Sequence, residues 1–135
     1  MTIFEKIINK EIEASIIYED DMCIGMLDIH PAAKGHTLVI PKIKSSEVQV
    51  DHLWQIPDEY YNHCWMIAKK LALHIQDKLH ADRIGVVVEG YGVPHAHIHL
   101  IPITGPHEIE VNRLTDRSIE AAKLSDTKDL LMYNA

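Results

Sequence analysis

Pro94-His95-Ala96-His97-Ile98-His99-Leu100-Ile101-Pro102 decides how this chain of 135 residues is read. In an extended strand side chains alternate, so His95, His97 and His99 share one face while Ala96, Ile98 and Leu100 share the other. The apolar face can pack on a core. Burying three imidazoles merely as filling would be costly, so the polar face is expected to carry chemistry. Two chemistries are open. Strand neighbours two apart lie about 6.6 Å from each other, close enough for two histidines to share a metal ion. His95 and His99 are separated by about twice that, so a metal needs a kink or help from His36. Alternatively one imidazole acts as nucleophile, a neighbour orients it, and another serves as acid or donor to a developing anion. Histidine suits attack on phosphorus because much of it is unprotonated at neutral pH.

Upstream of this stretch, Gly90-Tyr91-Gly92-Val93-Pro94 reads as a tight loop and Arg83 to Glu89 as a β-branched strand. Pro57, Asp58 and Glu59 open a long helix, with proline suited to its first turn and the acids to its dipole. Tyr61, Cys64, Trp65, Ala68, Leu71, Ala72, Ile75 and Leu79 recur at three- and four-residue steps, which makes that helix amphipathic to about Leu79. Earlier still, His36 to Ile40 is a strand closed by Pro41 and preceded by a loop from Pro31 to Gly35. Ser15 to Glu19 and Cys23 to Ile29 form strands around the turn-like Asp20-Asp21. Thr2 caps a short helix to about Lys10, with Ile3, Phe4, Ile7 and Ile8 on one side. Ala96 to Ile103 is the last strand, and Asp116 to Leu124 is read as helical. About five mostly antiparallel strands, one long helix and a short N-terminal helix predict an α+β fold. One domain over residues 1–135 is expected, with a core at about 2–102 and a C-terminal tail at 103–135.

Composition narrows the function classes. Apolar residues make up 47% of the chain, enough for a packed core and too many for a disordered segment. Acids outnumber Lys and Arg 20 to 13, a net charge of −7, which argues against gripping nucleic acid through its phosphates. There are 10 histidines, well above an ordinary share. Cys23 and Cys64 have neither zinc-knuckle nor disulfide-framework spacing, and read as buried thiols in a reducing compartment. Met1-Thr2-Ile3-Phe4-Glu5-Lys6 lacks the features of a signal peptide, and no apolar run approaches a membrane span. A soluble cytoplasmic protein, with no nucleic-acid or membrane partner, is the expectation.

His95-Ala96-His97-Ile98-His99-Leu100-Ile101 resembles the His-φ-His-φ-His-φ-φ pattern of the histidine triad (HIT) family. Thr2-Ile3-Phe4-Glu5-Lys6-Ile7-Ile8, Glu19-Asp20-Asp21, Cys23, Asp28-Ile29 and His36-Thr37-Leu38-Val39-Ile40-Pro41-Lys42 follow the order of its nucleotide-binding, Hint-like branch. The resemblance covers about residues 2–102. It implies that His97 attacks the α-phosphorus of a purine nucleotide and becomes a nucleotidyl-histidine, which water then hydrolyses. It implies further that His95 and His99 flank this nucleophile, that His36 completes the site, and that Asp28 accepts hydrogen bonds from both ribose hydroxyls. Ile3, Phe4, Ile7 and Ile29 match the apolar walls around the base, although apolar side chains at helical spacing equally describe plain core.

Three departures stand beside the resemblance. Zinc-carrying bacterial relatives begin with Cys-x-x-Cys, where this chain has Thr2 and Glu5, and their later histidine is replaced around Lys44, so no structural zinc is expected. Many relatives carry Asn and a longer Gly-Gln-Ser loop before the triad. Here Val88-Glu89-Gly90-Tyr91-Gly92-Val93-Pro94 has no Gln or Ser, which leaves the backbone N–H groups of Gly92 and Val93 to face a phosphate. The tail after Pro102 matches nothing in the pattern. The resemblance implies a cofactor-free nucleotide hydrolase or nucleotidyl transferase acting on phosphoramidates or phosphoanhydrides, in a homodimer with a continuous ten-stranded sheet. The rival from another class is a non-catalytic nucleotide-binding adaptor.

Overall fold

The computed structural model describes residues 1–44, 46, 50–106, 108–109 and 121–134. Helix α1, Ile3–Ile8, is capped by the Thr2 hydroxyl, which accepts the Glu5 N–H. Strands β1 (Ile16–Glu19) and β2 (Cys23–Leu27) form a hairpin with an irregularity between Ile16 and Tyr18. Its turn is held by Asp20, whose Oδ1 accepts the Met22 and Cys23 N–H groups, each at 2.8 Å. Strand β3 (Thr37–Pro41) follows, then a 3₁₀ turn at Leu53–Gln55 and the long helix α2, Asp58–Leu79. Pro57 stands just outside α2 as its N-cap residue, and His80 ends it in the left-handed conformation. Strands β4 (Arg83–Val87) and β5 (Ile98–Ile103) complete an antiparallel sheet in the order β1-β2-β3-β5-β4.

Alternation along the strands gives the sheet two distinct faces. One carries Ile17, Cys23, Leu27, Val39, Ile98 and Leu100 against Cys64, Ile67, Ala68, Leu71 and Ile75 of α2. The helix lies close enough that a Cβ on Gly25 would sit 2.7 Å from Leu71 Cδ1, which excludes any larger residue at that crossing without movement. The other face presents Ile24, Met26, Leu38 and Ile40 to Phe4 and Ile7 of α1. A single turn-and-a-half of helix covers only part of this second face. The triad emerges beside it.

The C-terminal segment returns to the sheet. Helix α3, Ala121–Leu131, buries Leu124 and Leu131, and beyond it the Tyr133 N–H donates to the Ile17 carbonyl of the edge strand at 2.9 Å. The sequence places a helix at Asp116 to Leu124. The observed one begins at Ala121 and runs seven residues further, while 116–120 lie outside the described residues. A second correction concerns the triad itself. The regular strand starts at Ile98, so only His99 belongs to the ladder. Pro41 explains why: as the last residue of β3 it has no N–H to offer, and its carbonyl is taken by the His95 ring at 2.9 Å. The Ala96 N–H turns instead to the Val50 carbonyl at 2.5 Å. Likewise His36 lies just before β3, which begins at Thr37. Among the described residues, no helix is long and apolar enough to cross a membrane.

Candidate functional site

Antiparallel pairing sets the end of β2 and the start of β3 level with the first half of β5 and the end of β4: Leu27 pairs with Thr37, Thr37 with Leu100, and Leu100 with Val86. These carry Asp28, His36, His97 with His99, and Glu89, in that order across the sheet. Together with α1 they surround a cavity of about 550 Å³.

The hydrogen bonds dictate where each imidazole proton sits. The Ala32 N–H donates to His36 Nδ1 at 3.0 Å, so a neutral His36 carries its proton on Nε2. That Nε2–H donates to His99 Nδ1 at 2.9 Å, which leaves the His99 proton on Nε2. His97 donates Nδ1–H to the His95 carbonyl at 2.7 Å. His95 spends Nε2–H on Pro41, and its Nδ1 faces the Thr2 hydroxyl at 3.3 Å. The outcome is asymmetric. His97 is only 6% exposed, yet its Nε2 lone pair has no hydrogen-bond partner among the described residues and borders the cavity.

Charge state follows from burial. Desolvation lowers the pKa of His95 and His97 below the ordinary histidine value, although the carbonyls each ring meets pull the other way. The Asp28 and Glu89 carboxylates also oppose the shift at His97. Burial lowers His36 too, and His99 falls to about 3 through burial and then through its neighbours His97 and His36. All four are neutral at pH 7, so His97 Nε2 is a usable nucleophile. The Phe4 ring meets the His95 and His97 rings edge-on at 5.9 and 5.1 Å, fixing both against α1.

The remaining candidates gather around this nitrogen. Asp28 uses Oδ1 to accept the His30 N–H at 2.8 Å, a turn role, while Oδ2 lies 3.6 Å from His36 Nε2 and its side chain keeps 18% exposure. The structure gives Asp28 both the turn and a carboxylate oxygen at the cavity. Ile3, Phe4, Ile7 and Ile29 all line the cavity; Phe4 and Ile7 are also core, whereas Ile3 and Ile29 are 49% and 58% exposed. Gly92 and Val93 border it too, with Val93 packed against the cluster of Phe4 and Ile7. Two residues escaped the sequence reading. Glu89 lines the cavity, and its signal was an acid directly before a Gly-x-Gly loop. Thr2 reaches His95 across 93 positions, for which the sequence offers no signal.

Asp28, His36 and His99 place donor atoms within 4.8 Å of one another, a spacing suited to a cation. The tautomers oppose one. A metal at His36 Nε2 would need the lone pair there, yet the Ala32 N–H occupies Nδ1 and forces the proton onto Nε2. These atoms form a proton network. A second group, Asp20, Cys23 and His63, lies on the α2 side of the sheet. Asp20 Oδ2 already accepts from the Tyr18 hydroxyl and from His63 Nε2, both at 2.6 Å, so its lone pairs are used.

The HIT domain family model matches residues 9–105. An uncharacterized HIT-like protein of Methanocaldococcus jannaschii is 38% identical over 107 residues, covering 76% of this chain and 78% of the relative. The crystal structure of a HIT-like protein involved in cell-cycle regulation from Bartonella henselae superposes with a TM-score of 0.83 at 30% identity, over 97% of this chain and 93% of that one. A histidine triad nucleotide-binding protein from Candida albicans gives a TM-score of 0.65 at 30% identity, over 78% and 76% of the two chains.

Proposed function

Because the chain belongs to the HIT family, we propose that it is a Hint-like nucleotide hydrolase or nucleotidyl transferase acting on purine nucleoside phosphoramidates and related activated nucleotides. The observation that carries this reading is the buried Nε2 lone pair of His97, which borders the cavity without a hydrogen-bond partner among the described residues. With the purine in the apolar slot of Ile3, Phe4, Ile7 and Ile29, Asp28 Oδ2 faces the ribose diol and the α-phosphate meets His97. The Nε2 lone pair forms a bond to phosphorus as the P–N bond to the leaving amine breaks, and the departing nitrogen takes up a proton. Water then attacks the same phosphorus, the N–P bond to His97 breaks, and nucleoside monophosphate leaves with neutral His97 restored. His99 Nε2–H is the nearby donor for a phosphate oxygen, and His36 holds it in that tautomer.

The Candida albicans neighbour's description as a nucleotide-binding protein supports the ligand class. A second reading, binding without turnover, rests on the absence of Gln and Ser from the loop at 90–94, which removes side-chain donors to the leaving group. Rapid acid quench of the protein with adenosine 5′-phosphoramidate separates the two. Covalent adenylyl-protein and steady AMP release support the hydrolase, whereas AMP affinity without either supports the binding protein. We further propose a homodimer through β4 and α2. Val86 on the terminal strand and Met66 and Leu73 on the helix are exposed apolar residues on those elements. Sedimentation of the purified protein tests this, and a monomer at micromolar concentration removes it.

A further inference from the structure

The walls of the cavity carry an unexpected charge for a nucleotide site. Asp28, Glu13 and Glu89 line it, and no Lys or Arg does so among the described residues. His97 and His99, which share it, are neutral at pH 7, being buried. Anything anionic beyond the α-phosphate therefore meets carboxylates with no Lys or Arg opposite them among the described residues.

The three acids are not equivalent. Strand order sets Asp28, at the end of β2, on one flank of His97 and Glu89, after β4, on the other. Asp28 stands on the side of the apolar slot, formed by α1 and Ile29, where a base and ribose fit. With that slot filled, the departing group leaves past Glu89 and Gly92, which line the same cavity. Glu89 is exposed, with no hydrogen-bond or salt-bridge partner among the described residues, so its carboxylate is available to a ligand. His97 independently marks this spot as a reaction site, buried and with a nitrogen unpaired toward the same cavity.

We infer that Glu89 selects the leaving group by pairing with a positive charge on it, so that the preferred substrates are nucleoside phosphoramidates of amines bearing a second cationic group. Diamines and basic side chains belong to that class; dinucleoside polyphosphates are its opposite, adding negative charge where Glu89 stands. The inference rests on the phosphoramidate reading above but makes a separate claim about the far flank.

The test compares two adenosine 5′-phosphoramidates, one of 1,5-diaminopentane and one of n-pentylamine, which differ in a terminal ammonium. The protein is expected to favour the diamine by about tenfold in kcat/KM at low salt, with the preference shrinking as ionic strength rises. Glu89→Gln should bring the ratio close to one, and Glu89→Lys should invert it. Glu13→Gln, at the α1 end, should retain it. A ratio near one in the unaltered protein, or a preference that survives Glu89→Gln, overturns the inference. If neither compound is turned over, the hydrolase reading falls. The same ratio, read then as binding to His97→Asn protein, still decides the role of Glu89.

Discussion

Two clusters in this molecule look alike in composition and differ in what they leave undone. On the α2 side of the sheet, Asp20, His63, Tyr18 and Cys23 gather at the β1–β2 turn. On the α1 side, Asp28, His36, His95, His97 and His99 gather along β3 and β5. Asp20 accepts two backbone N–H groups, a phenol and an imidazole, and no atom of its carboxylate remains for a ligand. The histidine cluster leaves two nitrogens without partners among the described residues, the His97 Nε2 acceptor and the His99 Nε2 donor, and both residues line a cavity. Clustered acids and histidines therefore do not by themselves make a site. A bonding pattern that leaves one acceptor and one donor open at a cavity does.

The sharpest way to break this comparison is to replace a histidine in each cluster. His97→Asn keeps a polar side chain but cannot form a labile bond to phosphorus, so turnover should disappear while nucleotide affinity changes by less than about tenfold, roughly 1.4 kcal/mol. His63→Asn should leave kcat/KM within a few-fold and lower the melting temperature instead. Steady-state kinetics and isothermal titration on both variants check this. Comparable activity losses in the two would erase the distinction.

Acid separates the clusters next. Burial holds His36, His95, His97 and His99 below their unfolded pKa near 6.5. As pH falls below 6.5 the unfolded chain takes up those protons first, so stability drops by about 1.4 kcal/mol per pH unit for each histidine still neutral in the fold. Asp20 behaves differently. Burial would raise its carboxyl pKa, but hydrogen bonds from Tyr18, His63, Met22 and Cys23 carry it well below the ordinary aspartate value of 3.8. Its contribution is present above 3.8 and lost only below that pH. Melting curves should therefore fall steeply between pH 6.5 and 4.5, and Asp20→Ala should shift them down without changing that slope. A flattened slope in the variant would transfer the acid sensitivity to the wrong cluster.

The two aspartates give a smaller contrast. Asp28→Ala should weaken ribonucleotides relative to 2′-deoxynucleotides by about 1.5–3 kcal/mol, the range for hydrogen bonds to a charged group. Equal losses for both sugars would leave Asp28 as a turn residue alone. Asp20→Ala should cost about 2 kcal/mol of stability and show no sugar dependence. Smallest is Thr2→Val, which removes the cap of α1 and the hydroxyl facing His95 for about 1 kcal/mol of stability. Thr2→Ser should restore it in thermal unfolding, and failure to do so would make the methyl group the important part.

The alternation of His95, His97 and His99 made the reactive face legible in the sequence, and the 3.6-residue recurrence from Tyr61 to Leu79 did the same for α2. Both are periodicities of a single element. What the sequence did not disclose depends on contacts between elements. The ladder fails before Ile98 because Pro41, 54 positions from His95, presents a carbonyl without an N–H beside it. Thr2 faces His95 only because α1 folds across the sheet. The loop's lack of Gln and Ser was visible as spelling, but the position of Glu89 opposite Asp28 follows from strand order, which no local pattern encodes.

The bond from Tyr133 to Ile17 bears on assembly as well as on folding. A sheet ordinarily has two open rims, and a molecule with two sticky rims can polymerise without end. Here the tail occupies the β1 rim, which leaves β4 as the terminal strand without a partner among the described residues. Pairing of β4 with its own copy about a two-fold axis then exhausts the available rims and stops at two chains. Deleting 132–134 would reopen the first rim, and concentration-dependent growth beyond a dimer is the form in which that change would show.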